Sequence, residues 1–166
     1  DGNFEYEERY LQTYLKEPDS LVVLVYDGDT AVGATTGIPM QAETPEFQKP
    51  FIEHGYDPER IFYCAESVLL PAYRGRGIYT RFFEAREGHA LSLGRFDVCC
   101  FCCVQRPTDH PLRPARYVPL DSIWTKFGYT RHEQLSTSYA WKDLDESSES
   151  DKPMVFWLKN LEQPTS

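Results

Sequence analysis

Between residues 63 and 83 the chain reads YCAESVLLPAYRGRGIYTRFF, an apolar stretch that enters an Arg/Gly turn and leaves it as a helix-patterned segment. This order constrains the fold more than any other part of the sequence. A strand that runs through a tight turn into a helix presents the unpaired N–H groups of the first helical turn, and the positive end of its dipole, to whatever sits in the turn. Such a place suits a phosphate or pyrophosphate. Glycine at 75 and 77 allows positive φ and lets a ligand approach where a Cβ would stand. Arg74 and Arg76 add charge-assisted donors. Read without its surroundings, the same turn is equally a plain strand-to-helix connection.

The surroundings supply an order of elements. Phe4, Tyr10, Leu11, Tyr14 and Leu15 recur at helical spacing up to Glu17-Pro18, which predicts a helix over 4–16. Leu21 to Tyr26 and Thr30 to Met40 read as strands of a hairpin about Asp27-Gly28-Asp29. A short helix is expected near Glu46 to His54, one strand over Ile61 to Leu70, and a helix over Ile78 to Leu93. Arg95 to Val104 reads as a strand and Leu120 to Phe127 as a short helix stopped by Gly128. Tyr129 to Lys142 is strand-like with an interruption near 134–136, and Met154 to Leu158 is the last strand. The expected fold class is α/β: a single domain over 1–166 with a mixed central sheet flanked by helices.

The words LLPAYRGRGIYTRFF resemble the acetyl-CoA signature of the GNAT superfamily of N-acetyltransferases, Arg/Gln-x-x-Gly-x-Gly/Ala, with Arg74, Gly77 and Tyr79 on its defining positions. Tyr79 is a departure, because the family usually has Gly or Ala there. Trp124-Thr-Lys-Phe-Gly-Tyr129 is similar to the family's short helix and Gly-aromatic step. The likeness spans roughly Leu21 to Leu158, and the family's first strand has no counterpart, so an N-terminal strand is expected to be missing. The resemblance implies that the pyrophosphate of acetyl-CoA, as acyl donor, is held by Arg74, Gly75, Arg76, Gly77, Ile78, Tyr79 and Thr80. It implies also that Val68, Leu69 and Leu70 pair with the pantetheine arm as if it were a further strand.

Composition narrows the partners. A net charge of −9 over 166 residues argues against nucleic acid, which needs a basic surface. It mildly favours an amine-bearing substrate. No apolar run approaches the ~20 residues that span a bilayer, so no membrane partner is expected. Five cysteines stand at 64, 99, 100, 102 and 103, four of them in Cys-Cys-Phe-Cys-Cys on an apolar strand. Alternation sends 100 and 102 to one face and 99 and 103 to the other, which is no zinc-site geometry. Buried thiols of a cytoplasmic protein are the reading, with no metal. A homodimer is the assembly to test.

Direct transfer of an acetyl group to an amine, which the resemblance implies, needs a base, donors for an oxyanion and an acid for the departing thiolate. Glu66 is the candidate base, an ionisable residue in an apolar strand where desolvation would raise its pKa; Tyr63 and Ser67 are other polar groups on that strand. Family members often carry a Tyr where this chain has Trp124, so Tyr117 and His110 are the candidate acids. The proline-stiffened loop Arg106 to Asp121 offers Arg106, Asp109, His110, Arg113 and Tyr117 for substrate recognition, unless it is a surface loop bridged internally. Aromatics at 62, 82, 83, 96, 101, 127, 141, 156 and 157 are assigned to the core and Asp143 to Asp151 to a solvated hairpin loop. A non-catalytic acyl-CoA sensor and a protein N-acetyltransferase are the rival functions.

Overall fold

A computed structural model describes residues 4–162. Helix α1 (Phe4–Lys16) comes first, followed by the antiparallel hairpin of β1 (Leu21–Asp27) and β2 (Thr30–Pro39). Helix α2 (Pro45–Glu53) starts on a proline, whose fixed φ and absent N–H suit a first helical position. Then come β3 (Ile61–Tyr63), β4 (Ser67–Leu69), α3 (Ile78–Leu93), β5 (Val98–Val104), α4 (Asp121–Lys126), β6 (Thr130–Trp141) and β7 (Ser150–Asn160). Both long helices, α1 and α3, keep the bounds that periodicity and flanking residues predict. Gly94, at φ 68°, ends α3 in the left-handed cap that glycine adopts without strain.

The sheet runs β1-β2-β3-β5-β7-β6, with β4 paired to β2. Only β3 and β5 run parallel, joined across α3; the other pairs are antiparallel. The sheet is therefore mixed, as expected. Strand alternation then sorts the core into two layers. Ile61, Tyr63, Val98 and Cys100 face α1 and α2, packing with Tyr14, Phe47, Phe51 and Phe156. Phe62, Cys64, Cys99 and Phe101 face α3 and α4, packing with Phe83, Ala90, Tyr129 and Trp157. The cysteines divide between the layers as their spacing predicts, and all five are free thiols.

Residues 61–70 are not one strand. β3 pairs with β5 through Tyr63, Cys64 N–H still reaches Cys100 O at 2.7 Å, and there the two parallel strands part. Residues 64–66 bulge around Thr36. Its carbonyl accepts from Ala65 N–H, its N–H donates to Glu66 O at 3.1 Å, and its hydroxyl accepts from Glu66 N–H. β4 then continues on β2 alone, while β5 stays on β7. A bulge of this kind bends a strand and re-aims its side chains, and here it opens the sheet between β4 and β5.

Two further expectations need correction. The β6–β7 connection is not merely a solvated loop: Lys152, only 7% exposed, donates to both oxygens of Glu146 at 2.6 and 2.8 Å and lies 5.8 Å from the Trp141 ring. Trp141 is half-buried over this lysine rather than in either core layer, whereas Phe127, also half-buried, does pack against the α3 layer, 4.8 Å from the Phe83 ring. The interruption in β6 does fall near 134–136, as a register shift between His132 and Ser136 that buries Leu135 completely.

Candidate functional site

The strand-to-helix turn has the conformation its glycines predict. Gly75 and Gly77 sit at φ 74° and 79°, in the left-handed region, and a Cβ built on either would meet nothing within 4 Å. Backbone conformation, not crowding, therefore demands glycine here, and the space above the turn is open. The turn is braced from three sides. Arg74 Nε donates to Leu69 O (3.2 Å), Tyr73 Oη donates to Asp27 (2.7 Å), and the Arg76 guanidinium lies 5.0 Å from the Tyr73 ring centre. Helix α3 begins immediately after Gly77, so its first N–H groups lie beyond any intrahelical acceptor.

A cleft of about 1000 Å³ extends from this turn along the open side of β4. Of the ten residues expected to bind the cofactor, Val68, Leu69, Leu70, Arg74, Gly75, Gly77, Tyr79 and Thr80 line it; Arg76 and Ile78 do not. Residues 31–34 of β2 and Ser67 form its floor, and Leu120, Ile123 and Phe127 close it from the α4 side. The result is an apolar trough with donors concentrated at one end.

Tyr79 and Trp124, the two departures from the family pattern, meet. Trp124 Nε1 donates to Tyr79 Oη at 2.9 Å, across 45 positions of sequence. Tyr79 packs edge-on against Phe83, and Trp124 against Phe101 and Trp157. Because the indole can only donate, the phenolic proton of Tyr79 is left for another acceptor. Burial pushes the Tyr79 pKa up, only partly offset by the Trp124 bond, so the hydroxyl stays protonated at neutral pH.

Glu66 occupies the bulge and is exposed, so the expected desolvation of its carboxyl does not hold. A carboxyl with that property lies nearby, at a position the sequence did not flag. Glu43, in the turn after β2, is half-buried, and its pKa is raised first by burial and further by the charge of Glu66. Its field and that of Glu66 both reach Tyr10 and Tyr14, whose hydroxyls share a 2.7 Å hydrogen bond. Tyr63 Oη, 3.0 Å from Cys102 Sγ, feels Glu43 as well. No spacing in the sequence signals this grouping, because α1, the β2–α2 turn and the bulge come together only in the fold.

The proline-rich loop is committed to protein partners. Arg106 forms two hydrogen bonds with the Asp143 carboxylate (2.6 and 2.8 Å), holding that group well below the usual carboxylate range. Arg113 donates to Thr108 O at 2.7 Å and lies over the Tyr117 ring. His110 Nδ1 accepts from Leu112 N–H, and Asp109 and Tyr117 are exposed. None of Arg106, Asp109, His110, Arg113 and Tyr117 lines the cleft. The internally bridged alternative describes this loop. His110, Asp143 and Asp145 do place ligand-type atoms within 4.8 Å of one another, but Asp143 already has its arginine.

Among the described residues no helix is long and apolar enough to cross a membrane. No family model matches the chain, and no curated protein matches it either. Solved structures do. An aminoglycoside 6′-N-acetyltransferase complexed with coenzyme A superposes with a TM-score of 0.60 at 15% identity, over 99% of this chain and 84% of that one. An acetyltransferase of the GNAT family from Streptococcus pneumoniae gives 0.58 at 11% identity, covering 95% and 77%. The ribosomal-protein-S18-alanine N-acetyltransferase from Escherichia coli gives 0.58 at 6% identity, covering 96% and 79%. Together with the parted strands and the glycine turn at the start of α3, these likenesses show that the chain has the fold of the GNAT acetyltransferases.

Proposed function

We propose that this protein is an acyltransferase that moves an acetyl group from acetyl-CoA directly to the amine of a small molecule. The observation that carries the reading is the cleft between β4 and α4, with an apolar trough at one end and the left-handed glycine turn of α3 at the other. A pyrophosphate fits the N–H groups of that turn. A pantetheine arm fits the trough, and its amides complete the β ladder that β4 makes only with β2.

The chemistry is assigned as follows. The amine nitrogen attacks the thioester carbon, and its proton passes through water to Glu66, the residue before the cleft-lining Ser67, with Glu43 coupled to it; neither carboxylate lines the cleft itself. The C–S bond breaks and the thiolate takes the phenolic proton of Tyr79, which solvent replaces. Tyr79 takes the role expected of Tyr117 or His110 because it lines the cleft and its proton is uncommitted. The general acidity of the chain supports an amine-bearing acceptor.

A panel of amines, assayed for release of free coenzyme A thiol, tests the activity. Turnover with at least one amine, lost in Tyr79→Phe, supports the assignment. Tight acetyl-CoA binding without turnover across a broad panel would favour the acyl-CoA sensor instead.

A further inference from the structure

Arg86 of α3 is 2% exposed, yet among the described residues no carboxylate stands within ion-pair distance of it. Its Nη1 donates to Thr35 Oγ1 (3.0 Å) and Ser67 Oγ (2.9 Å), with a longer approach of 3.5 Å to Glu66 O. Its Nε is buried with no hydrogen-bond partner, and its guanidinium lies 4.5 Å from the Phe83 ring centre. Burying an arginine without a counter-charge is costly. A fold that needed only a filler here would do better with an apolar side chain of similar volume. Its charge acts on Cys64, Tyr79 and Tyr129 around it, and of the two hydroxyls it donates to, Ser67 carries its effect to the cleft.

The proton count gives the direction. Thr35 spends its hydroxyl proton on Glu66 O at 2.6 Å and is completely buried. Ser67 accepts from Arg86, and among the described residues its own proton has no acceptor better than Thr35 Oγ1 at 3.3 Å. Ser67 is exposed, and it lines the cleft at the end of β4 farther from the glycine turn. A hydroxyl that accepts from a buried cation becomes a stronger donor, because the cation draws electron density from its oxygen.

We propose that Ser67 donates a hydrogen bond to the carbonyl oxygen of the acyl thioester, and that Arg86 positions and polarises Ser67 for this task. The inference rests on the acyl-CoA reading above. When the amine nitrogen bonds to the thioester carbon, the C=O π pair moves onto oxygen; Ser67 and the buried charge behind it stabilise that oxyanion until the C=O re-forms and the thiolate leaves. Ser67 is then a catalytic residue, and Arg86 a positioning residue acting through it.

The test uses the full chain and acetyl-CoA labelled with ¹³C at the carbonyl, so it does not depend on finding the acceptor. In the wild type the bound carbonyl resonance moves downfield of its free position, as expected for a polarised C=O. Ser67→Ala returns it toward the free value, Ser67→Thr keeps the downfield shift, and Arg86→Lys gives an intermediate shift. Unacylated coenzyme A binds all four proteins alike. With a turned-over amine in hand, Ser67→Ala lowers kcat about 10²-fold with little change in acetyl-CoA affinity. A bound resonance in Ser67→Ala identical to that of the wild type overturns the proposal and leaves the acyl-CoA reading standing. Failure of coenzyme A and acetyl-CoA to bind the wild type overturns both. Arg86→Lys is read below its own melting temperature; should it fail to fold, the two Ser67 variants decide.

Discussion

Two arginine-bearing turns follow strands of this sheet, and they use their arginines in opposite ways. Residues 74–77 carry two arginines and no acid, and the turn leaves α3 N–H groups facing open space above Gly75 and Gly77. Residues 106–121 carry three arginines, but Arg106 is locked to Asp143 and Arg113 to Thr108 O and the Tyr117 ring. The first turn is stiff and has donors to spare. The second is stiff because two of its three arginines, Arg106 and Arg113, are spent on partners within the protein, while Arg116 is exposed. Counting arginines therefore does not find a binding loop; what counts is whether the fold supplies each donor with a partner.

The sharpest way to break this contrast is a carboxylate in the first turn. Gly77→Glu forces a side chain into a left-handed conformation and puts a negative charge where an anion is expected, so acetyl-CoA affinity falls by about 10²-fold or more. Retained affinity, read by calorimetric titration, would move the site elsewhere. Next in size is the acid. Tyr79→Phe lowers turnover by about 10²-fold while coenzyme A affinity stays near the wild-type value. If Tyr117→Phe were the damaging change instead, the second turn would regain a catalytic role.

Arg106→Ala is expected to act on stability alone. It lowers the melting temperature by a few degrees, leaving the dissociation constant of acetyl-CoA and the KM of the amine unchanged. A raised KM without a melting shift would make this a recognition loop. The smallest effect is in pH. Lys152, with help from Ser150 and Asp143 N–H, lowers the Glu146 pKa from its ordinary 4.5 to about 2. Arg106 lowers that of Asp143 in the same way. A depressed folded pKa means stability that is present above the unfolded value and lost as pH falls through the folded one. Fluorescence of Trp141, whose indole donates to Asp143 at 3.0 Å, should hold steady from pH 8 to about 5 and change only between about 4.5 and 2. A transition near pH 6 would contradict this network.

Much of the frame was legible in the sequence because the signals are local. The bounds of α1 and α3 follow from periodicity closed by a proline or a glycine, and the β1–β2 hairpin follows from Asp27-Gly28-Asp29 between two apolar runs. The break at residues 64–66 was not legible. No Gly or Pro marks it; it is made by the Thr36 hydroxyl thirty residues earlier and by Arg86 twenty residues later. The same holds for the site. Gly75 and Gly77 declared themselves through their φ requirement, whereas Glu43 gains its raised pKa only where the β2–α2 turn is folded against Glu66 and α1. Tyr79 and Trp124 each stood out as anomalies. Their hydrogen bond, which joins the two anomalies into one feature, needs the packing of α4 on α3.

The central claim is that the cleft beside the first turn binds an acyl-CoA, and thermal unfolding of the full chain tests it most directly. At about a hundred times its dissociation constant, acetyl-CoA should stabilise the fold by ~2.7 kcal/mol. For a chain of this length that is a rise in melting temperature of roughly 5–11 °C. The account predicts this rise for the wild type and its loss in Gly77→Glu. An unchanged melting temperature for the wild type at saturating acetyl-CoA, or an equal rise in both proteins, would contradict it.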